Sequence, residues 1–187
     1  KSRILSTVLL VAVAGPVRKL PNAVLAERDD HAGRLRDAGL THAFVSLHSP
    51  DAAVSDAITR APGTHARTVR GIRAFLAAGV PVKLNAVLTA QGLDHLPGLP
   101  AYVCREIAEP SAFSALMISY PSSPFDIALQ DSIVPEPSRL REALRATIDS
   151  ANALGLRLEG LDGPCGPPLC AFDAGPRVTN LQPVAAE

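Results

Sequence analysis

Tryptophan is absent from this sequence, and aromatic residues, cysteines and net charge are scarce. Aromatic residues make up 4% of the 187 residues, so the core must be built from aliphatic side chains and alanine. The 18 basic residues balance the 18 acidic ones, and no basic cluster stands out, which excludes a protein that binds duplex nucleic acid. Three cysteines do not make the disulfide framework of a small secreted protein. We therefore expect one main domain in a reducing, cytoplasmic setting.

The only extended apolar run stands at the beginning of the sequence. Lys1 and Arg3 precede residues 4–14, which end in Ala-Val-Ala, the pattern that a signal peptidase cleaves. Export is therefore the alternative to a cytoplasmic location. The run is too short to cross a membrane, and a stretch rich in Val and Leu is also typical of a strand buried on both faces. We predict a strand over residues 4–13 and no membrane partner.

Aliphatic runs alternate with helical patterns at intervals of about 30–40 residues, the length of a strand–helix unit. Gly39, Gly79 and Gly155 each stand between a helical pattern and an apolar run, where a glycine commonly ends a helix. These repeated junctions predict an α/β fold with a mainly parallel sheet or barrel. The predicted strands lie near residues 4–13, 42–47, 80–88, 113–119 and 156–160.

Two helices are predicted with well-defined ends. Apolar residues recur at helical spacing from Thr64 to Ala78 and from Pro137 to Leu154. A weaker helical pattern covers residues 28–38, and two prolines should split or distort the segment 91–108. Together these segments supply the helices that a βα fold places between its strands.

The composition changes at residue 161 to Gly, Pro and Cys with little periodicity. We therefore divide the chain into a barrel domain, 1–160, and a Pro/Gly/Cys-rich tail, 161–187. Cys165 and Cys170 form a C-x4-C pair in this tail that suits an auxiliary metal or iron–sulfur site. A tetrahedral site needs four ligands and only Cys104 remains, so structural thiols are the alternative.

Polar residues at the carboxyl ends of the predicted strands are the candidates for a ligand site, because parallel βα folds bind ligands there. Alternation along strand 42–48 places Ser46 and His48 on one face. In strand 80–88, Lys83 and Asn85 share a face within an otherwise apolar stretch. An unsatisfied buried polar group costs about 1–3 kcal/mol, so we expect these side chains to be paired or used.

Each candidate also has a purely structural interpretation. Ser46 and His48 fit an ordinary strand end with a solvent-facing imidazole. Lys83 fits a side chain that extends to solvent as well as a Schiff-base amine. No metal-ligand spacing connects the remaining histidines, which are predicted to be surface or capping residues: His31, His42, His65 and His95.

Read in order, four segments resemble the middle of a radical S-adenosylmethionine (SAM) enzyme. They are Ala43-Phe-Val-Ser-Leu-His-Ser-Pro-Asp51, Ile58-Thr-Arg-Ala-Pro-Gly-Thr64, Thr68-Val-Arg-Gly-Ile72 and Ala77-Ala-Gly-Val-Pro-Val-Lys-Leu-Asn-Ala-Val-Leu-Thr89. The corresponding run of the family is VSLHGPD, GS and TVxGIxxLxxAGVPVxxNxVxT. The resemblance extends over roughly residues 34–120, and it is fairly specific because several separate elements recur at the right separations.

The resemblance implies a partial (β/α) barrel of the radical SAM type, with SAM and a [4Fe-4S] cluster as cofactors. In that family the cluster is held by a CxxxCxxC loop, and electron transfer to SAM generates a 5′-deoxyadenosyl radical that abstracts a hydrogen from the substrate. The substrate, a small molecule or a peptide, is not implied.

The resemblance also assigns cofactor-binding residues. Ser46 and His48 occupy positions that approach the ribose or methionyl part of SAM, and Asn85 lies near the same cofactor. Thr59 and Arg60 stand where the family often places a side chain that contacts a carboxylate. The end of the following strand, residues 119–121, would face the substrate.

The sequence departs from the family in lacking any CxxxCxxC and any Gly-Gly-Glu-type segment. We therefore expect that the N-terminal strands of the barrel are missing, and that a further N-terminal segment or a partner covers the open sheet edge. Three hypotheses remain: a radical SAM enzyme or a fragment of one, a catalytically silent βα scaffold or binding domain, and a Schiff-base aldolase-like barrel that uses Lys83.

Overall fold

The computed structural model of the protein describes residues 17–19, 23–27, 30–121, 133–161 and 167. The predicted strand over 4–13 and most of the tail from 161 lie outside these ranges, so both remain predictions. The predicted boundary between a barrel domain, 1–160, and the tail, 161–187, also remains a prediction. The strands are β1 (Val17–Lys19), β2 (Leu40–Ser46), β3 (Val82–Val87), β4 (Phe113–Ser119) and β5 (Leu158–Glu159). The α-helices are α1 (Ala23–Ala26), α2 (His31–Asp37), α3 (Ala52–Thr59), α4 (Thr64–Ala77), α5 (Leu99–Tyr102) and α6 (Pro137–Leu154).

The five strands form one sheet in the order β1-β2-β3-β4-β5, and every neighbouring pair is parallel. Chain order and spatial order coincide, as expected when each strand is followed by a crossover that returns to the next strand. The architecture is therefore the predicted α/β fold, an open partial barrel. Strands β2 to β5 confirm the predicted strands, whereas the short β1 was not predicted.

The sheet has one apolar face that carries the core. Its side chains are buried against α4, α6 and the segment between β3 and β4, which contribute Phe75, Leu140 and Leu99 to the same cluster. This burial supplies the main stabilisation, at about 25 cal/mol per Å² of apolar surface removed from water. The apolar face consists of Ala43, Val45, Leu47, Val82, Leu84, Ala86, Leu116 and Ile118, each no more than 3% exposed.

The two long helices have the predicted bounds. Helix α4 ends one residue before the predicted Ala78, and α6 spans Pro137–Leu154 as predicted. Both are followed by glycines with positive φ, 74° at Gly79 and 69° at Gly155, a conformation that costs glycine little. The chain thereby turns directly from each helix toward the next strand.

The segment between β3 and β4 is distorted, as its prolines predict. A 3₁₀ helix, Leu93–Gly98, leads into α5, and a π-helical turn, Val103–Ile107, follows it. Helix α3 was not predicted, because its eight residues include few large apolar side chains. Its clearest local signal is Asp51, whose carboxylate accepts the backbone N–H of Val54 and caps the helix.

Helices α1 and α4 cross closely at Gly71. A Cβ on Gly71 would overlap the backbone carbonyl of Ala23. Glu27, just after α1, forms ion pairs with Arg67 and Arg70 of α4 at 2.5 and 2.8 Å. The Arg67 hydrogen bond is the main cause that holds the pKa of Glu27 below its ordinary value. The α1–α4 contact therefore combines a backbone-close crossing with ion pairs at its rim.

In the described ranges, no helix has the length and apolar character needed to cross a membrane.

Candidate functional site

The second face of the sheet carries the polar residues, and we call it the polar face. The register aligns Ser46 with Asn85, and Asn85 with Met117. Residues aligned in a parallel sheet point to the same side, as do residues two apart along a strand. The polar face therefore comprises Phe44, Ser46, His48, Lys83, Asn85, Val87, Met117, Ser119 and Glu159. The alternation predicted for Ser46 and His48 is confirmed, and the fold brings both to the same edge as Asn85.

Asn85 is the most buried polar residue of this face, with 9% of its surface exposed. Its Oδ1 accepts a hydrogen bond from the Ser119 hydroxyl at 2.6 Å. Among the residues that the structure describes, nothing accepts a hydrogen bond from its Nδ2 amide group. Two donor hydrogens are thus held in a nearly buried position at the carboxyl end of β3, where a ligand oxygen is a suitable partner.

His48 lies just beyond the end of β2 and is fixed by the neighbouring strand. The backbone N–H of Val87, the last residue of β3, donates to His48 Nδ1 at 3.2 Å. Burial lowers the pKa of His48 from 6.5 to about 4, so the ring is neutral at pH 7. Because Nδ1 is the acceptor, the ring proton resides on Nε2, which makes His48 a hydrogen-bond donor toward a ligand.

The turn after His48 is tightly ordered. Ser49 is fully buried, and its hydroxyl accepts the backbone N–H of Asp51 at 3.0 Å. Gly92, in the loop after β3, packs against this turn, since a Cβ there would lie 3.1 Å from Ile58 and 3.6 Å from the His48 carbonyl oxygen. The loops after β2 and β3 thus support each other around His48.

Thr59 and Arg60 lie elsewhere, at the corner between α3 and α4. The Thr59 hydroxyl donates to the carbonyl of Ser55 at 3.1 Å and lies 3.4 Å from the Thr64 hydroxyl. Arg60 is exposed and ends α3 with a φ of 54°. In the described part of the chain, no hydrogen bond or ion pair connects either side chain with Ser46, His48 or Asn85.

The α3–α4 corner is organised by Asp56. Its carboxylate accepts the backbone N–H groups of Gly63 and His65, at 2.5 and 2.8 Å. The hydrogen bond from His65 is the main cause that lowers the pKa of Asp56. The start of α4 is thereby capped by a side chain of this protein, and the backbone N–H groups of Gly63 and His65 are not free for a ligand.

Lys83 forms an ion pair that sequence reasoning missed. Its Nζ lies 2.5 Å from Glu159 Oε2, and Arg157 lies 3.0 Å from the other carboxylate oxygen of Glu159. Lys83 thus reaches across β4 to the neighbouring β5. The sequence shows a charged residue in each strand, but it does not show the register that aligns them.

The structure overturns one prediction about the other histidines. His65 is not a surface residue, because 6% of it is exposed and its ring packs against Tyr102 with a centroid separation of 5.7 Å. It falls on the inner side of α4, close to Val69 at the next helical turn. The prediction relied on the polarity of histidine, which does not show that this side of α4 is buried.

Metal ligation has little support in the described ranges. No three His, Cys, Asp or Glu residues there are arranged to hold a metal ion. Cys104 is a half-buried free thiol whose pKa is raised by burial. Cys165 and Cys170 lie outside the described residues, so the auxiliary site remains a prediction.

Comparison with known proteins identifies partial relatives, although no protein-family model matches the chain. A probable GTP 3′,8-cyclase of Methanopyrus kandleri is 39% identical over 71 residues, which are 37% of this chain and 23% of that protein. An AdoMet-dependent heme synthase of Nitratidesulfovibrio vulgaris is 33% identical over 73 residues, 39% of this chain and 20% of that protein. The match thus spans less than a quarter of either curated relative.

A solved structure shares the fold. A domain of a pyruvate-formate lyase-activating enzyme from Bacteroides vulgatus superposes with a TM-score of 0.50 at 14% sequence identity. The superposition covers 73% of this chain and 76% of that chain. At this identity the likeness shows the architecture alone.

Proposed function

We propose that the polar face of this chain, a relative of the radical SAM superfamily, binds SAM as part of a radical SAM enzyme. The observation that carries the proposal is the set of hydrogen-bonding groups at the carboxyl ends of β2 and β3. The Asn85 amide, the Nε2–H of His48 and the Ser46 hydroxyl all belong to this edge. Sheets of this topology bind their ligands there.

The chemistry of these groups fits SAM. The ribose hydroxyls and the carboxylate of SAM accept hydrogen bonds, and Asn85 and His48 offer donors at fixed positions. Among the described residues no protein group accepts from the Asn85 Nδ2 hydrogens, and Asn85 retains 9% of its surface in contact with solvent. A ligand oxygen that approaches from that side is a suitable partner for these hydrogens.

Thr59 and Arg60 are the second group of residues that we propose for SAM binding. We infer from the resemblance that Arg60 contacts the methionyl carboxylate of SAM, with Thr59 beside it. Arg60 is exposed, so its guanidinium is accessible to a carboxylate. An exposed guanidinium can form the two parallel hydrogen bonds that suit a carboxylate.

The residues present do not fit a [4Fe-4S] cluster of the family type. The 187 residues contain no CxxxCxxC, and we assign no reaction step to a cluster held by this chain. Bound SAM supplies such enzymes with the group used for hydrogen abstraction. We therefore propose that this chain provides the SAM-binding half of the barrel, and that the cluster ligands lie outside these 187 residues.

The Schiff-base alternative is disfavoured by the Lys83–Glu159 ion pair. An amine must present a lone pair to attack a carbonyl carbon. In the structure the Lys83 nitrogen is engaged by the Glu159 carboxylate at 2.5 Å, so it is not free to attack a carbonyl carbon.

The test is calorimetric titration of the purified chain with SAM, comparing wild type with Asn85→Ala. We expect SAM to bind the wild type, and Asn85→Ala to weaken binding about tenfold, because about 1.4 kcal/mol of hydrogen bonding is lost. The matched control is Asn152→Ala, which removes the same amide from an exposed position on α6 and should bind SAM as the wild type does. A folded wild-type chain that does not bind SAM would contradict the proposal and favour the silent scaffold.

A further inference from the structure

We propose that Lys83, in its ion pair with Glu159, is a receptor for a carboxylate of the substrate. This inference rests on the proposed function, because it places the substrate beside SAM on the same polar face. It assigns a substrate class, a small acid, amino acid or peptide with a carboxylate near the reacting carbon. The argument uses position, charge and the contacts of β5.

Lys83 lies on the polar face, farther from the carboxyl end of β3 than Asn85 and the proposed SAM site. Lys83 lies two residues before Asn85 on β3 and is aligned with Phe44 and Ala115 on the neighbouring strands. Two residues of a parallel strand span about 6.6 Å. A small molecule bound at Lys83 therefore lies next to, and not within, the volume near Asn85.

The charge of the cluster favours an anion. Lys83 and Arg157 contribute two positive charges and Glu159 one negative charge, and both carboxylate oxygens of Glu159 are engaged by them. An ammonium carries three donor hydrogens, and among the described residues Glu159 is the only hydrogen-bond partner of the Lys83 amine. The remaining donors are available to a second carboxylate.

The same charges distinguish a carboxylate from a phosphate. The net charge of the cluster attracts a dianion about twice as strongly as a monoanion, but the desolvation cost of an ion rises with the square of its charge and is about four times larger for the dianion. Lys83 is also partly screened, with 33% of its side chain exposed. A monoanion is therefore the better match for a cluster with one net positive charge.

The ion pair is not required to hold β5 in the sheet. The backbone N–H of Leu116 donates to the Arg157 carbonyl at 2.8 Å, and Gly160 packs so closely on β4 that a Cβ would overlap the Ile118 carbonyl. Partly exposed ion pairs stabilise a fold by about 0–1 kcal/mol. A lysine and a glutamate on this face are thus better explained by ligand recognition than by strand attachment.

The experiment uses Met117, the single methionine of the sequence. Met117 is aligned between Asn85 and Glu159, so its ¹³C-labelled methyl group reports on both regions by NMR. Its signal is assigned by its loss in Met117→Leu. The labelled chain is titrated with sodium acetate, with acetamide, with sodium phosphate, with sodium chloride at equal ionic strength, and separately with SAM.

We expect acetate to shift the Met117 signal saturably, with acetamide and chloride giving no saturable shift and phosphate binding more weakly than acetate. Lys83→Gln should weaken acetate binding at least fivefold and leave the SAM titration unchanged. Glu159→Gln should strengthen acetate binding, because it removes the competing carboxylate. This opposite effect keeps the proposal testable if Lys83→Gln fails to fold. Arg105→Gln, a change at an exposed cation on the π-helical turn, should behave as the wild type.

The proposal that Lys83 binds a carboxylate would be overturned if acetate shifted the Met117 signal equally in wild type and Lys83→Gln. It would also be overturned if chloride shifted the signal as much as acetate does. Tighter binding of phosphate than of acetate would overturn its assignment to carboxylates. A saturable acetate response without any SAM response would support the receptor and contradict the proposed function, so the two failures are distinguishable.

Discussion

At the scale of single residues, His48 links the two strands that carry the proposed ligand edge. Its Nδ1 accepts the backbone N–H at the end of β3, so the same ring completes the sheet and fixes the direction of its Nε2–H. Protonation of Nδ1 would remove the acceptor and place a charge in a buried position. Folding therefore depends on the neutral form of this ring, and so does the binding that we propose for its Nε2–H.

This coupling predicts a loss of stability in mild acid. The folded-state pKa of His48 is about 4 and its ordinary value is 6.5. Between pH 4 and pH 6.5, His48 is therefore protonated in the unfolded chain and neutral in the folded chain. Stability from this group is complete above pH 6.5 and is lost as the pH falls toward 4. Urea unfolding should show a decrease of about 2–3 kcal/mol from pH 7 to pH 4.5 in the wild type.

The variants isolate this contribution. His48→Gln keeps an acceptor for the Val87 N–H and should lose most of the pH dependence. His42→Gln changes an exposed histidine on the same face of β2 and should retain it. If His48→Gln showed the full wild-type decrease, the buried neutral ring would not be its source.

The positions of the candidate site residues in the fold were predictable to different degrees. The alternation of β2 identified Ser46 and His48, and a polar residue in an apolar strand identified Asn85, because both signals are local. The partner of Lys83 was not predictable, since Glu159 is 76 positions away and only the register joins them. His65 was predicted wrongly because polarity alone does not show which side of a helix is buried.

At the scale of elements, the fold depends on how closely α1 approaches α4. Gly71→Ala should destabilise the protein by about 2–4 kcal/mol, because backbone atoms must move to admit the methyl group. The higher helix propensity of alanine offsets only about 1 kcal/mol of this. Thermal and urea unfolding would measure the change.

Gly98→Ala is the matched control for Gly71→Ala. A Cβ at Gly98 would meet only Pro50, at an ordinary 3.8 Å, and φ is −82° there. We expect a change within about 0.5 kcal/mol. Similar losses for both variants would show that the close crossing is not the cause.

Element bounds were predictable where the sequence contains explicit end signals. Proline at the start and glycine after the end defined α6, and the glycine after α4 placed its end within one residue. Helix α3 lacked an apolar periodicity of sufficient length, and β1 has only three residues. Both are stabilised by tertiary contacts that a local pattern does not contain.

At the scale of the whole molecule, the parallel sheet is least exposed at its middle. Strand β3 is paired on both sides, and its Val82, Leu84 and Ala86 are fully buried. The outer β5 has two residues. Amide hydrogen exchange measured by mass spectrometry should therefore be slowest in β3 and β4 and much faster in β1 and β5. Equal protection of β5 and β3 would contradict this distribution of stability.

The parallel order itself followed from the sequence. Three helix–glycine–strand junctions recur along the chain. Consecutive strands that are joined by a helical crossover usually lie side by side and parallel, so these junctions predict the observed order. The contacts on the polar face of the sheet did not follow, because they depend on how all the strands are aligned.

The separation of the sheet into an apolar and a polar face also has an evolutionary consequence. Substitutions at Ser46, Lys83 or Glu159 leave the buried face unchanged, so the specificity of the proposed ligand site can change with little loss of folding stability. Variation at Val45 or Leu84 instead removes core packing, at about 1–4 kcal/mol for each truncation. The polar face and the apolar face of the same strands can therefore change at different rates during evolution, because only the apolar face is constrained by core packing.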